Sequence, residues 1–106
     1  MRMFRSAAAA AAMVAVGWAA PALAQGSPTL DAIRGRGVLN CSIAPNAPGF
    51  SGLDAQGNWR GMDVDYCRAV AAAIFGDPNK VRYVPSTTVQ RFPMLQSGES
   101  DLLVRN

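Results

Sequence analysis

GMDVDYCRAVAAAIFG, residues 61–76, is bounded by glycine at both ends and opens with two acids. This pattern predicts a helix. Asp63 is placed to cap the first free amides, Asp65 lies in the electropositive first turn, and Gly76 suits the left-handed turn that ends a helix. Asp77-Pro78 then forbids continuation. Val64, Cys67, Ala71 and Ile74 recur at spacings of three and four and share one face, with Val70 flanking it. Arg68, three residues after Asp65, is expected in solvent and weakly paired with that acid. The small residues Ala69 and Ala71 to Ala73 let a sheet approach closely, so the helix is expected to lie against strands on either side of it in sequence.

The first residues stand apart from this fold. Arg2 and Arg5 precede an uncharged apolar run, Ala7 to Ala20, which is followed by Pro21 and the small residues Ala22 and Ala24. That is the pattern of a secretory signal peptide over residues 1–24, with cleavage expected before Gln25. The run is short for a spanning helix, and no cysteine follows the site to carry a lipid. Residues 25–106 then form a mature part of 82 residues, one small core at most. Arg2 and Arg5 belong to the leader, so eight basic residues face seven acids, a net +1. No basic stripe with interleaved aromatics is present, and nucleic acid is not an expected partner.

Cys41 and Cys67 both lie in the exported part. An oxidising compartment favours pairing them, the alternative being two separate buried thiols.

Before the organising helix, SPTLDAIRGRG predicts a short helix capped by Thr29 and ended by Gly35 and Gly37, with Leu30 and Ile33 apolar. Val38 to Ile43, VLNCSI, reads as a buried strand, and Ala44 to Gly49, APNAPG, as loop. Phe50 to Gly61 reads as a hairpin with its turn at Asp54 to Gly57. After the helix, Val81 to Val84 is a second core strand. Thr87 or Thr88 caps a helix from Val89 to Ser97 that is bent at Pro93 and has Val89, Phe92 and Leu95 inward; Gly98 ends it. Asp101 to Arg105 begins a third strand. This order predicts an α/β fold, a parallel sheet with crossover helices plus a β-hairpin. Ligands of such sheets lie beyond the carboxyl ends of the strands, here APNAPGF, PSTT and Arg105-Asn106.

Catalysis finds little support in those loops. The chain has no histidine, no nucleophile elbow, no phosphate-cradling loop and no CxxC, so neither a metal nor another cofactor is expected. Asp63 and Asp65 start a helix and, two residues apart, face different ways, which favours capping over acid–base work. The loops instead offer hydrogen-bonding groups for a small polar ligand: Asn46, Ser86, Thr87, Thr88, Arg105 and Asn106. Arg105 at a strand end suits a two-point grip on a carboxylate. Phe50 is expected to be buried beneath the hairpin.

TLDAIRGRGVLNCSI, PGFSGLDAQGNWRGMDVDYCRAVAAAIFGD and RFPMLQSGESDLLVRN resemble the start of the periplasmic amino-acid-binding proteins of ABC transporters, solute-binding family 3, and particularly the general L-amino-acid subgroup. The resemblance covers nearly all of Thr29 to Asn106. It implies the N-terminal lobe of a two-lobed type II periplasmic-binding-protein fold, incomplete here. It also implies a monomeric, non-enzymatic receptor in the periplasm that closes on an L-amino acid and hands it to a membrane permease. Carried over by position, the ligand residues are Asn46 and Ala47 in the first loop, Thr88 in the second, and Arg105 and Asn106 in the third. Relatives often place aromatic rings where Ala47 and Thr88 stand, so ring stacking on the ligand is not implied. The subgroup's paired cysteines match Cys41 and Cys67.

The family's carboxylate-clamping arginine falls beyond Asn106, so the chain reads as a fragment. Residues 25–106 alone are expected to give no measurable amino-acid binding by calorimetry. The same scaffold also carries periplasmic dehydratases of the prephenate or arogenate type and sensor modules of signalling proteins, the two alternatives to transport.

Overall fold

A computed structural model describes residues 26–106. The leader expected at residues 1–24 lies outside them. The elements are α1 Pro28–Arg36, β1 Leu39–Ile43, β2 Gly52–Leu53, β3 Trp59–Arg60, α2 Met62–Phe75, β4 Val81–Pro85, α3 Arg91–Ser97 and β5 Leu102–Leu103. The order follows the sequence expectation. Strands β4, β1 and β5 form one parallel sheet in that order, and β2 and β3 pair separately as an antiparallel hairpin.

Because β1 is the central strand, all five of its residues are buried. Its side chains alternate. Cys41 and Ile43 pack against Val64 and Cys67 of α2, while Leu39 packs with Ile33 of α1 and Ala71 of α2. The face of α2 read from its spacing is therefore the one that meets the sheet, and Ala71 is fully buried on it. A disulfide joins Cys41 to Cys67, with Cα atoms 6.1 Å apart, and leaves no free cysteine among the described residues. Strand and helix are thus covalently joined at the centre of the core.

The other side of β1 is polar. Asn40 accepts a hydrogen bond from Arg82 Nε at 3.0 Å, and its backbone N–H donates to Asp101 Oδ2 at 2.8 Å. The Asp101 carboxylate also pairs with Arg36. Hydrogen bonding of this kind is what allows polar side chains to stay buried.

Several local expectations change on folding. Ser27, not Thr29, caps α1, its hydroxyl accepting from Leu30 N–H at 3.3 Å. Pro28 then takes the first helical position, where a missing N–H costs nothing. Thr87 caps the turn that leads into α3: its hydroxyl accepts from Gln90 N–H, and its own N–H donates to Gln90 Oε1. This reciprocal pair is a capping box. Val89, Phe92 and Leu95 do not face inward but are 84%, 55% and 38% exposed. The reason is spatial, since α3 approaches β5 and nothing in residues 26–106 covers its apolar side. Arg68 is half-buried rather than solvated and makes no ion pair with Asp65. No helix among the described residues is long and apolar enough to cross a membrane.

Candidate functional site

Parallel pairing of three strands places their carboxyl ends side by side, and the first, second and third loops therefore leave the sheet together. The seam between the first two is bonded directly. Ser42 Oγ on β1 lies 2.6 Å from Ser86 Oγ, both buried, and Ser86 N–H donates to Ile43 O at 3.0 Å. Val104 N–H donates to Ser42 O at 2.9 Å, which brings the third loop to the same place. Arg105 Nη1 donates to Ser86 O and ties the third loop to the second.

The first loop is braced from within. Ser51 Oγ donates to Ala44 O at 2.7 Å, and Ala47 N–H donates to Ser51 O at 2.8 Å, so the segment returns on itself before the hairpin begins. Met62 N–H donates to Gly49 O at 3.0 Å and Asp63 N–H to Phe50 O at 2.9 Å, which fixes the start of α2 against this loop. Phe50 is half-buried there.

Of the residues expected to meet a ligand, Asn46, Thr88 and Asn106 are exposed on the rim, Ala47 is half-buried and held by its backbone, and Arg105 is half-buried. Ser86 and Thr87 are committed elsewhere, Ser86 to the seam and Thr87 to its cap. Two concavities occur at other places. One, of about 290 Å³, lies among Trp59, Arg68, Pro78 and Tyr83; the other, of about 510 Å³, runs between Val84, Pro85, Val89, Pro93 and Met94. Neither contains a rim residue. No group of three His, Cys, Asp or Glu able to hold a metal occurs among the described residues.

Asp63 departs most from the sequence reading. It does not cap α2: Gly61 stands at the N-cap and no side chain bonds the free amides. Asp63 is instead 5% exposed, and its Oδ2 has no hydrogen-bond partner among the described residues. Loss of water pushes its carboxyl above the ordinary value of 3.8, while the Arg105 guanidinium pulls in the opposite direction. The folded state thus holds a proton on Asp63 more readily than the unfolded chain does. Its contribution to stability is present below pH 3.8 and is lost as pH rises through the raised folded value. Asp63→Asn is therefore expected to raise the melting temperature at pH 7 and to leave it nearly unchanged below pH 3.5; equal effects at both pH values contradict this account.

Asp54 behaves in the opposite way. It accepts from Asn58 N–H at 2.8 Å, Arg60 Nε at 3.0 Å and Gln56 N–H at 2.9 Å, and these bonds hold its carboxyl below the usual range. It closes the hairpin turn by giving the backbone of residues 54–58 an acceptor.

Neither the polar side of β1 nor the burial of Asp63 follows from the sequence reading above. The alternation was visible in Leu39-Asn40-Cys41-Ser42-Ile43, where polar residues occupy every second place, the signature of a strand with two unlike faces. Nothing comparable marked Asp63.

Three parallel strands, crossover helices and three loops gathered at one end define an α/β lobe whose loops leave together from the carboxyl edge of its sheet. The chain belongs to the bacterial extracellular solute-binding proteins, family 3, whose sequence pattern matches residues 39–106. It is 48% identical over 101 residues to the General L-amino acid-binding periplasmic protein AapJ of Rhizobium johnstonii, over 95% of this chain and 28% of AapJ. It is 54% identical over 78 residues to the Glutamate/glutamine/aspartate/asparagine-binding protein BztA of Rhodobacter capsulatus, over 74% of this chain and 23% of BztA. The solved ABC transporter periplasmic binding protein from Brucella ovis with glutathione bound superposes with a TM-score of 0.72 at 48% identity. That match covers 76% of this chain and 25% of the other. The chain spans about a quarter of the length of these relatives. The fold is accordingly part of the first lobe of a type II periplasmic-binding protein.

Proposed function

We propose that residues 25–106 are part of the first lobe of the substrate-binding component of an amino-acid ABC transporter, exported through a signal peptide over residues 1–24. The receptor binds an L-amino acid in the periplasm as a monomer and delivers it to an inner-membrane permease, without turnover. Its ligand residues on this lobe are Asn46, Ala47, Thr88, Arg105 and Asn106.

The observation that carries this reading is the gathering of the three loops at one end of the sheet, with Asn46, Thr88 and Asn106 exposed and Arg105 bonded between two of them. A zwitterion needs fixed donors and acceptors at close spacing, and strand ends provide them without moving. The printed names of AapJ and BztA, both amino-acid-binding proteins, support the ligand class.

The test is titration calorimetry on a receptor of full family length that carries these residues. Saturable heat with at least one of the twenty protein L-amino acids is expected; heat with none of them overturns the proposal.

A further inference from the structure

The concavity of about 290 Å³ is walled by three elements: Trp59 and Arg60 come from β3, Arg68 from α2 and Tyr83 from β4, with Pro78 and Asn79 at the turn that leads into β4. Its lining is basic, with two guanidiniums and no carboxylate. Arg60 is partly committed, because its Nε donates to Asp54 Oδ2 at 3.0 Å. Arg68 is not. It stands half-buried on the second turn of α2 and pairs with no acid among the described residues. Asp65, three residues earlier, is exposed and forms no ion pair with it, and Asp77 accepts from Asn79 N–H at 2.8 Å. The rest of the wall is aromatic. The Trp59 and Tyr83 rings lie 6.2 Å apart, tilted by 44°, and both pack from behind against the core of Cys41, Ile43, Val64 and Cys67. Burial raises the Tyr83 phenol above its ordinary 10.0, with Arg68 lowering it and Asp65 raising it to smaller extents, so at neutral pH Tyr83 presents an uncharged O–H.

We propose that this concavity is a second binding site, separate from the rim, for a small carboxylate carried on one aromatic ring and lacking an ammonium group. Arg68 supplies the partner for the carboxylate, since its planar fork meets two oxygens at once, and Arg60 adds to the positive field. Trp59 and Tyr83 supply the partners for the ring, which gains from edge-to-face or offset contact with rings already held in place. An ammonium beside the carboxylate brings a third positive charge next to two guanidiniums, so an amino acid is disfavoured here. Volume sets the size of the ligand. At about 30 Å³ for each water molecule the concavity holds about ten, room for one ring and a short acid chain. Such a ligand touches β3, α2 and β4 together, binds only the folded chain and therefore stabilises it. The site is independent of the receptor function, since none of Asn46, Ala47, Thr88, Arg105 and Asn106 lines it.

The test adds phenylpropionate to a receptor of full family length carrying these residues and follows the Trp59 indole N–H signal by NMR, the signal being identified by its loss in Trp59→Phe. A saturable shift with a Kd of about 1 mM or tighter is expected, and the melting temperature is expected to rise with ligand concentration. L-phenylalanine, which differs by its ammonium group, and acetate, which lacks the ring, are expected to act on that signal at least about tenfold more weakly. Arg68→Ala and Arg68→Gln, the second keeping most of the stem, are each expected to raise the phenylpropionate Kd about tenfold. Arg60→Ala is expected to have a smaller effect, because Asp54 already holds that guanidinium. A Trp59 signal that does not saturate below about 10 mM phenylpropionate overturns the proposal. So does a Kd unchanged by both Arg68 variants, or an Arg68-dependent response to acetate or L-phenylalanine as strong as that to phenylpropionate.

Discussion

Gly61→Ala is expected to destabilise the protein by about 4 kcal/mol or more, enough to separate the hairpin from α2. Gly61 has φ +127°, where L side chains rarely go, and a Cβ placed on it meets Phe50 O at 2.2 Å, Phe50 C at 2.4 Å and Ser51 N at 2.9 Å. All three atoms are backbone. None can swing aside as a flexible side chain does, and the bonds from Met62 N–H to Gly49 O and Asp63 N–H to Phe50 O hold the two segments at that distance. Relief therefore requires breaking the contact between the first loop and the start of α2. Gly57 is the control. It has φ +79° but nothing within 4 Å of its added Cβ, so Gly57→Ala is expected to cost only about 1 kcal/mol of left-handed strain. Urea unfolding of both variants measures the difference; equal losses show that φ alone, and not the close approach to Phe50, is what Gly61 supplies.

Replacing both cysteines with alanine is expected to remove about 3–4 kcal/mol, from the entropy of a cross-link across a sequence separation of 26 residues. Domains of this size are stable by only about 5–10 kcal/mol, so the loss is a large share of the total. Cys41 lies on the central strand and Cys67 on the face of α2 that covers it, both fully buried, so two small cavities add to the cost. The check is paired urea titrations with and without reductant. Reduction is expected to lower the midpoint of the unsubstituted protein and to leave the double variant unmoved. An unsubstituted protein indifferent to reductant, under conditions where its thiols are shown to be free, contradicts the assignment of stability to this bond.

Both predictions concern the contacts of α2, and they separate what was legible from what was not. The helix itself was legible: its glycines, its following Asp-Pro and the spacing of Val64, Cys67 and Ala71 predicted both its limits and its buried face. The hairpin and the strand order along the chain were equally plain, because turn chemistry and apolar runs are local. Asp63 was misread for the same reason. Asp near a helix start is ordinarily a cap, but α2 starts from Gly61, so Asp63 falls inside the first turn, buried where its N–H donates to Phe50 O across thirteen residues of chain. Val89, Phe92 and Leu95 were misread because apolar spacing shows that a helix has a face, not that another element is present to cover it.

The candidate site divides along the same line. Its loops were identifiable from composition, as polar turn-rich segments after apolar runs. Their meeting followed from the expected parallel sheet, and β4 and β5 do both pair in parallel with β1; the bonds that fix it, Ser42 to Ser86 and Arg105 to Ser86 O, were not legible. Sequence by itself therefore determined which segments are helix, strand and loop, and which residue types stand at the strand ends, because these are set by neighbours three or four positions away. Tertiary structure alone decided the polar contacts of Asn40 and Ser42, the burial of Asp63, and the glycine required at position 61. Each of these arises where segments far apart in the chain are pressed together, and desolvation and steric exclusion act on whatever atoms meet there.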